Sequence, residues 1–237
     1  ALAHHPLTLL VRKGDTGPRN PNATYIIGDV TDTESLAGTM DGCTTVIHLV
    51  AIIEEHGDAT FDRVIRQGTA NVAAEARRAG VEHFVLMSAL GARNDPHYRY
   101  FLAKYRAEEA VKHSGVPWTI FRPSIVFGPG DGFINQLADL VRIAPIVPIA
   151  GDGQSLFQPV NVQEVAASFG WAVDHPESIG QTYDLGGPDI LTYDEIVALV
   201  QRQLGTSKRT WHLPVGLVRA VVTLSSPLPR KLRPPVT

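Results

Sequence analysis

The chain has 237 residues, of which 44% are hydrophobic and 19% charged, a composition that excludes an intrinsically disordered protein. Its formal net charge of -3 lacks the basic excess of a nucleic-acid-binding domain, so we predict no nucleic-acid partner. The single cysteine excludes an internal disulfide framework and is typical of a reducing, cytoplasmic compartment.

Short apolar segments alternate with helical patterns through the first part of the chain. The predicted strands cover residues 7–12, 24–30, 44–51, 82–90 and 116–126, and the predicted helices cover residues 31–40, 61–79 and 98–113. The segment 44–51 (TTVIHLVA) is apolar almost throughout, as expected for a strand buried on both faces of a parallel sheet. This alternation predicts an α/β fold with a doubly wound, Rossmann-like parallel sheet and right-handed crossovers.

The pattern loosens after residue 128, where glycine and proline cluster. Strand-like segments follow at 157–162 and 182–186, and helical patterns at 163–173 and 193–204. We predict a dinucleotide-binding domain over residues 1–127 and a smaller α+β lobe for substrate or partner over 128–237. Within that lobe, 158–173 is the segment that could return to the main sheet.

The tail 213–228 (LPVGLVRAVVTLSSPL) is the most apolar candidate for membrane contact. Arg219 interrupts its apolar run, and Pro214 and Pro227 bracket it. We therefore predict an amphipathic helix docked on the protein rather than on a membrane surface, and no transmembrane helix.

The residues Ser88, Tyr100 and Lys104 form the sharpest chemical pattern. Tyr100 and Lys104 (YFLAK) lie four residues apart in a predicted helix and therefore share one face. A nearby ammonium favours the phenolate, so we expect Lys104 to lower the pKa of Tyr100 toward a range useful for proton transfer. Ser88 follows a buried strand, where its hydroxyl could polarise a substrate carbonyl. The alternative is an amphipathic helix with a solvated lysine.

Several motifs occur in an order that resembles the extended and atypical short-chain dehydrogenases/reductases. They are GDVTD (28–32), VIHLVA (46–51), GTAN (68–71), FVLMS (84–88), the Tyr100/Lys104 pair and FRPSIVFG (121–128). Two further stretches, FGPGDGFIN (127–135) and QPVNV (158–162), are most similar to the atypical group that contains the NAD(P)H-binding accessory subunit of respiratory complex I.

The resemblance implies a role for each motif. Asp29 and Val30 would contact the adenine, and Lys104 would hydrogen-bond the nicotinamide ribose as well as tune Tyr100. The residues that would line the cofactor at strand ends or near the nicotinamide are Leu49, Val50, Ala51, Pro123 and Ile125. Asp29 has an alternative role as a helix cap before Thr31. We expect the apolar residues 49–51 to belong to the core under any interpretation.

Arg12 and Lys13 occupy the position where an acidic residue would select NAD by binding the ribose 2′-OH. A cation there suits a 2′-phosphate, so we predict a preference for NADP(H). A solvated loop arginine is the alternative, and NAD(H) remains an open choice.

No G-x-G-x-x-G motif precedes Leu7. The resemblance implies that a first strand, this phosphate-binding loop and most of a first helix would come before that residue, and we therefore expect the chain to be a fragment. The glycines at 128–132 have the wrong spacing for a dinucleotide loop, so we interpret them as a turn. The scattered histidines predict no metal site, and His48 is expected to be a core residue with a hydrogen-bond partner.

Three functions remain open. The first is an NADPH-dependent oxidoreductase acting on an unidentified small carbonyl or quinone-like substrate. The second is a non-catalytic cofactor-binding accessory or assembly protein, peripheral to a membrane-bound respiratory complex. The third is a sugar-nucleotide epimerase or dehydratase, which the short interval of 12 positions from Ser88 to Tyr100 disfavours.

Overall fold

The computed structural model describes residue 2 and residues 4–17 and 19–216. The chain divides into two compact units, the first formed by Ala1–Pro123 and Gln163–Leu185 and the second by Ser124–Val162 and Gly186–Thr237. The segment after residue 162 thus returns to the first unit. The domain boundary that we placed after residue 127 stays a prediction.

The elements of the described residues follow one another in this order: β1 (Leu7–Val11), β2 (Ala23–Ile27), α1 (Thr33–Leu36), β3 (Thr45–His48), a π-helical segment (Asp62–Gln67), α2 (Gly68–Arg78), β4 (His83–Met87), α3 (Arg99–Lys112), β5 (Trp118–Pro123), β6 (Val126–Phe127), α4 (Phe133–Ile143), β7 (Val147–Ala150), β8 (Leu156–Phe157), β9 (Val160–Asn161), α5 (Val162–Asp174), a single 3₁₀ turn (Pro176–Ser178), β10 (Thr182–Leu185), β11 (Leu191–Thr192), α6 (Tyr193–Gln203) and β12 (Thr210–Leu213).

The first unit is built on a parallel sheet of four strands in the order β10-β5-β4-β3. The strands β1 and β2 form a separate parallel pair. Apolar strands joined by helical crossovers run parallel and are buried between helices, which explains the four-stranded sheet and the β1–β2 pair. The predicted α/β fold with a Rossmann-like parallel sheet is confirmed.

Consecutive residues of β5 show that helices cover both faces of the sheet. The ring of Phe121 packs against Phe169 of α5 at 4.8 Å between centroids. The next side chain, Arg122, points to the other face, where it donates to Glu108 of α3. Because side chains alternate along a strand, α3 and α5 lie on opposite faces.

Apolar residues on the α2 and α3 side form the main core of the first unit. Phe84, Ile120 and Val111 are fully buried there, together with residues of α1 and α2. Gly68 opens α2 beneath Val30, where a Cβ would lie 2.8 Å from the Val30 Cγ2. Glycine therefore allows this helix to approach the loop after β2 closely.

Two predicted elements are shorter or different in form. The helix expected over 31–40 covers only Thr33–Leu36, with Asp32 as its N-cap, since its side chain accepts from Glu34 N and Ser35 N. The helix expected over 61–79 begins with the π-helical segment, a feature that often occurs at functional sites.

The second unit has its own core between α4 and α6. Val141, Val147 and Ile149 are fully buried within it. Its described strands pair as β6 with β9, β7 with β12 and β8 with β11. A capping box at Thr192 and Glu195 begins α6.

Among the described residues, no helix is long and apolar enough to cross a membrane. Most of the helix that we predicted over 213–228 lies outside the described residues.

Candidate functional site

A cleft of about 1090 Å³ lies in the first unit, where β1, β2 and β3 end. The predicted cofactor residues that line it are Arg12, Asp29, Val30, Leu49, Val50 and Ala51. The carboxyl ends of parallel strands are where open α/β folds bind their ligands. The structure thus brings six of the nine predicted cofactor residues to one surface, and the other three lie elsewhere.

Asp29 is held rigidly in this cleft. Its carboxylate accepts hydrogen bonds from the backbone N–H and the hydroxyl of Thr31, both at 2.8 Å. The Thr31 backbone bond lowers the pKa of Asp29 below its ordinary value, and the positive charges of Arg12 and Arg63 act in the same direction while burial opposes them. The alternative role of Asp29 as a helix cap is wrong, because Asp32 is the N-cap of α1.

The apolar residues after β3 differ from our expectation. We expected residues 49–51 to be core residues, but Leu49 is 55% exposed and Val50 is 40% exposed. The reason is that β3 ends at His48, so these side chains leave the sheet and face the cleft. Large apolar side chains that line a cleft are common in ligand-binding sites.

Arg12 and Lys13 line the cleft at the end of β1. A third cation, Arg63 of the π-helical segment, lines it as well and lies 3.7 Å from the carboxylate of Asp58. Arg63 was not among the residues that we predicted for the site. The sequence around Arg63 indicates only a basic residue near the start of the helix that follows β3.

Lys104 is buried, and its Nζ donates to the backbone oxygen of Met87 at 2.9 Å. Burial lowers the pKa of Lys104 from 10.5 to about 8, while the charge of Glu108 opposes this shift. The ammonium is therefore fixed at the carboxyl end of β4, with a pKa well below that of a free lysine. The alternative of a solvated lysine is wrong.

Tyr100 is half-buried near the start of α3. Its ring makes an edge contact with Phe61 at 5.6 Å between centroids, and it packs with Ile52 on the cluster of Ile65, Ala103 and Ala107. Ile52 also lines the cleft, so the apolar cluster on which Tyr100 packs borders the cofactor residues.

Our prediction that Lys104 lowers the pKa of Tyr100 is wrong for this structure. Burial raises the pKa of Tyr100 above its ordinary value of 10. The physical reason is that Lys104 directs its ammonium to Met87 O. A phenol of this kind stays protonated at neutral pH and suits a proton donor.

Ser88 is buried, and its hydroxyl donates to Glu108 Oε1 at 2.5 Å. Glu108 also accepts from Arg122, whose Nε and Nη2 lie 2.8 and 2.6 Å from the two carboxylate oxygens. The structure therefore gives Ser88 a structural partner, and its catalytic role stays a prediction without a supporting contact. Glu108 and Arg122 were not among the residues that we predicted for the site.

The remaining predicted residues do not line the cleft. Pro123 is buried at the end of β5, where its carbonyl accepts from Leu90 N at 2.9 Å. Ile125 belongs to the second unit, and its carbonyl accepts from Val160 N. The described part of the chain contains no group of three or more histidine, cysteine or acidic side chains that could hold a metal ion.

Comparison with known proteins agrees with this geometry. Residues 1–132, more than half of the chain, match a family described as NAD(P)H-binding. The chain belongs to this NAD(P)H-binding family. Its parallel sheet and the cleft at the strand ends lie in the first unit, where a dinucleotide would be held.

Two curated relatives and one solved structure show the range of the family. The chain is 31% identical to "NADH dehydrogenase [ubiquinone] 1 alpha subcomplex subunit 9, mitochondrial" of Arabidopsis thaliana, over 81% of this chain and 48% of the relative. It is 30% identical to "Ceramide reductase" of Caulobacter vibrioides, over 67% of this chain and 50% of the relative. The chain thus spans about half the length of these relatives.

The solved structure is a dTDP-glucose 4,6-dehydratase from Streptomyces venezuelae with NAD bound. It superposes with a TM-score of 0.72 at 20% identity, over 82% of this chain and 68% of the other. At this identity the likeness concerns the fold alone.

In this NAD(P)H-binding chain His48 is a buried core residue, as predicted, with its Nε2 3.1 Å from Thr69 Oγ1. Burial, helped by the charge of Lys104, lowers the pKa of His48 from 6.5 to about 3. The folded protein therefore binds one proton fewer than the unfolded chain between these two values. The stability that neutral His48 permits is fully present above pH 6.5 and declines as the pH falls toward 3.

We expect the free energy of unfolding to fall by about 2 kcal/mol between pH 7 and pH 5 because of this single residue. Urea unfolding at both values, in wild-type protein and in His48→Gln, measures the effect. The Gln variant should lose less stability over this interval than the wild type. His97→Gln, which changes an exposed histidine, is the control and should keep the wild-type slope. An unchanged slope in His48→Gln would refute the assignment.

Proposed function

We propose that this chain is the cofactor-binding part of an NADPH-dependent oxidoreductase that reduces a carbonyl or quinone-like group of a small substrate. The observation that carries the proposal is the cleft that Arg12, Asp29 and the exposed residues after β3 share. Ile52, which also lines this cleft, packs on the same apolar cluster as Tyr100. Membership of the NAD(P)H-binding family supports the cofactor class, and similarity to a relative named as a reductase supports the reaction class.

The residues present fit a dinucleotide by their chemistry. Asp29 offers a fixed carboxylate for the adenosine, Leu49 and Val50 offer apolar surface, and Lys104 offers an ammonium donor for a ribose hydroxyl. When bound, NADPH supplies the hydride. Tyr100 would donate a proton to the substrate oxygen, and Lys104 would hold a ribose hydroxyl of the cofactor. The proposal does not use Ser88, because its hydroxyl is engaged by Glu108.

The cofactor preference is the first test. Replacing Arg12 with alanine should weaken NADPH binding by about tenfold or more and leave NADH binding within about twofold, because only NADPH carries the 2′-phosphate that Arg12 would contact. Isothermal titration of the full-length protein with each nucleotide measures both dissociation constants.

The matched control is Arg19→Ala. Arg19 lies in the same loop region, packs over Tyr25 and is not among the residues of the cleft. Its replacement should change neither affinity. If the unaltered protein binds NADH as tightly as NADPH, or more tightly, the NADP preference is refuted.

A second function, a non-catalytic accessory protein of a respiratory complex, has one favourable observation. The relative from Arabidopsis thaliana that matches 81% of this chain is named as a subunit of NADH dehydrogenase. On this hypothesis bound NADPH stabilises the protein at the periphery of a membrane complex and no substrate is reduced. Oxidation of NADPH with menadione or benzaldehyde as the acceptor separates the two functions, since an accessory protein would support none above background.

A further inference from the structure

Three side chains from three elements meet in the interior of the first unit. Glu108 of α3 is completely buried and receives hydrogen bonds from Arg122 of β5 and from Ser88, the residue after β4. Lys112, one turn further along α3, brings its ammonium to 3.9 Å from the same carboxylate. A buried carboxylate needs such partners, because burial of an unpaired charge is very costly.

The helix α3 holds two successive residues at the end of β4. Lys104 Nζ donates to Met87 O at 2.9 Å, and Glu108, one turn later, accepts from the hydroxyl of Ser88. Residues four apart lie on one face of a helix, so the ammonium and the carboxylate face the same strand end. Displacement of either side chain would change where the other meets β4.

We infer that Glu108 is a positioning residue that keeps Lys104 protonated and fixed at the carboxyl end of β4. The inference rests on the proposed function, because only there does Lys104 contact the cofactor. Glu108 itself lines no part of the cleft and acts through Lys104.

The charges around Lys104 agree with this role. Glu108 is the acid whose charge raises the pKa of Lys104 against the effect of burial. His48 of β3 faces the lysine but stays neutral, because burial lowers its pKa to about 3. Tyr100, one turn earlier on α3, also stays neutral at physiological pH, because burial raises its pKa. Met87 contributes a carbonyl oxygen and no charge.

The partners of Glu108 add further charges. The guanidinium of Arg122 and the ammonium of Lys112 are both bound by the Glu108 carboxylate, and Asp184 of β10 acts on Arg122 from the neighbouring strand. Lys112 also pairs with Glu109 at 3.0 Å. Removal of the Glu108 charge would leave Lys104 among cations and neutral groups.

The test is Glu108→Gln, which removes the charge but keeps the size and an amide oxygen that can accept from Arg122. The chain contains five lysines, so carbon-13 labelling of the lysine Cε atoms gives an NMR spectrum with few signals. The signal that is lost in Lys104→Met belongs to Lys104. In the wild type this signal should titrate near 8. In Glu108→Gln the apparent pKa of Lys104 should fall clearly below the wild-type value, because the charge that raises it is gone. NADPH affinity should then decline at a correspondingly lower pH.

Glu109→Gln is the matched control, since it removes the same charge from the adjacent, more exposed residue, whose carboxylate pairs with Lys112. It should leave the titration of Lys104 unchanged. Glu108→Asp retains the charge and should recover most of the wild-type titration, which a purely structural role would not require. If Glu108→Gln does not fold, the double variant Glu108→Gln with Arg122→Met, which removes both charges, replaces it. The pKa of Lys104 should again fall.

The outcomes are separable from those of the proposed function. If Lys104 titrates alike in wild type and Glu108→Gln while NADPH still binds, the inference is wrong and the proposed function stands. If no form of the protein binds NADPH, the proposed function fails, and the NMR titration still decides whether Glu108 governs the protonation of Lys104.

Discussion

Replacing Arg122 with methionine should lower the free energy of unfolding by about 3–5 kcal/mol at pH 7. Arg122 donates two hydrogen bonds to Glu108, whose side chain is 0% exposed, so the variant leaves a carboxylate without its main cation in the interior. Lys112 lies 3.9 Å away and is too distant to replace a bidentate contact. Urea unfolding monitored by tryptophan fluorescence and by circular dichroism measures the loss.

Two variants identify the cause. The double variant Glu108→Gln with Arg122→Met removes both charges and should recover most of the lost stability, because the penalty comes from the unpaired charge and not from the smaller side chain. Arg142→Met breaks an exposed pair with Asp139 on α4 and should cost less than about 1 kcal/mol. A loss below about 1 kcal/mol in Arg122→Met itself would mean that solvent or Lys112 compensates Glu108, and would contradict the buried pair.

The architecture could be predicted because the pattern that specifies it is local. The apolar run at 44–51 and the apolar residues of 82–90 follow from strands buried on both faces, and the structure has β3 and β4 within these segments. The residues at which the strands end were harder to predict. Leu49 is as apolar as the strand before it, yet it faces the cleft because pairing with β4 stops at His48.

The site could be predicted only where neighbours in sequence are neighbours in space. Tyr100 and Lys104 are four residues apart in α3, so their spacing alone predicts that they lie on the same face of the helix. Glu108 and Arg122 come from different elements, and only the packing of α3 against β5 brings them together. The pKa of Tyr100 likewise depends on its burial, which includes a ring contact with Phe61 from an earlier element that the local sequence around Tyr100 does not reveal.

Tyr100→Phe should reduce NADPH-dependent turnover by about 10²- to 10⁴-fold while leaving the dissociation constant of NADPH within about twofold. The variant removes only the hydroxyl, and the ring keeps its edge contact with Phe61 and its place on the cluster of Ile65 and Ala103. Fold and cofactor cleft should therefore be intact. The assay follows NADPH fluorescence in the full-length protein with menadione and benzaldehyde as acceptors, and nucleotide titration gives the affinity.

Tyr98→Phe is the matched control, because this exposed tyrosine lies two residues away and stacks under Arg93 instead of packing toward the cleft. It should retain wild-type turnover. Full turnover in Tyr100→Phe would refute its role as the proton donor, and the absence of NADPH oxidation in every form would favour the accessory function.

The pH profile provides an independent check of which group limits the reaction. Because burial raises the pKa of Tyr100 above its ordinary value, its phenol stays protonated through the neutral range and past the pH at which Lys104 titrates, and it should cause no loss of kcat/KM there. Lys104 loses its proton near pH 8, so kcat/KM should decline as the pH rises through this value. In Glu108→Gln the same decline should occur at lower pH, since the carboxylate that favours the charged lysine is gone. If kcat/KM instead declines only at the higher pH where Tyr100 loses its proton, and Glu108→Gln does not shift this decline, the phenol carries the limiting proton. Lys104 would then not limit the reaction.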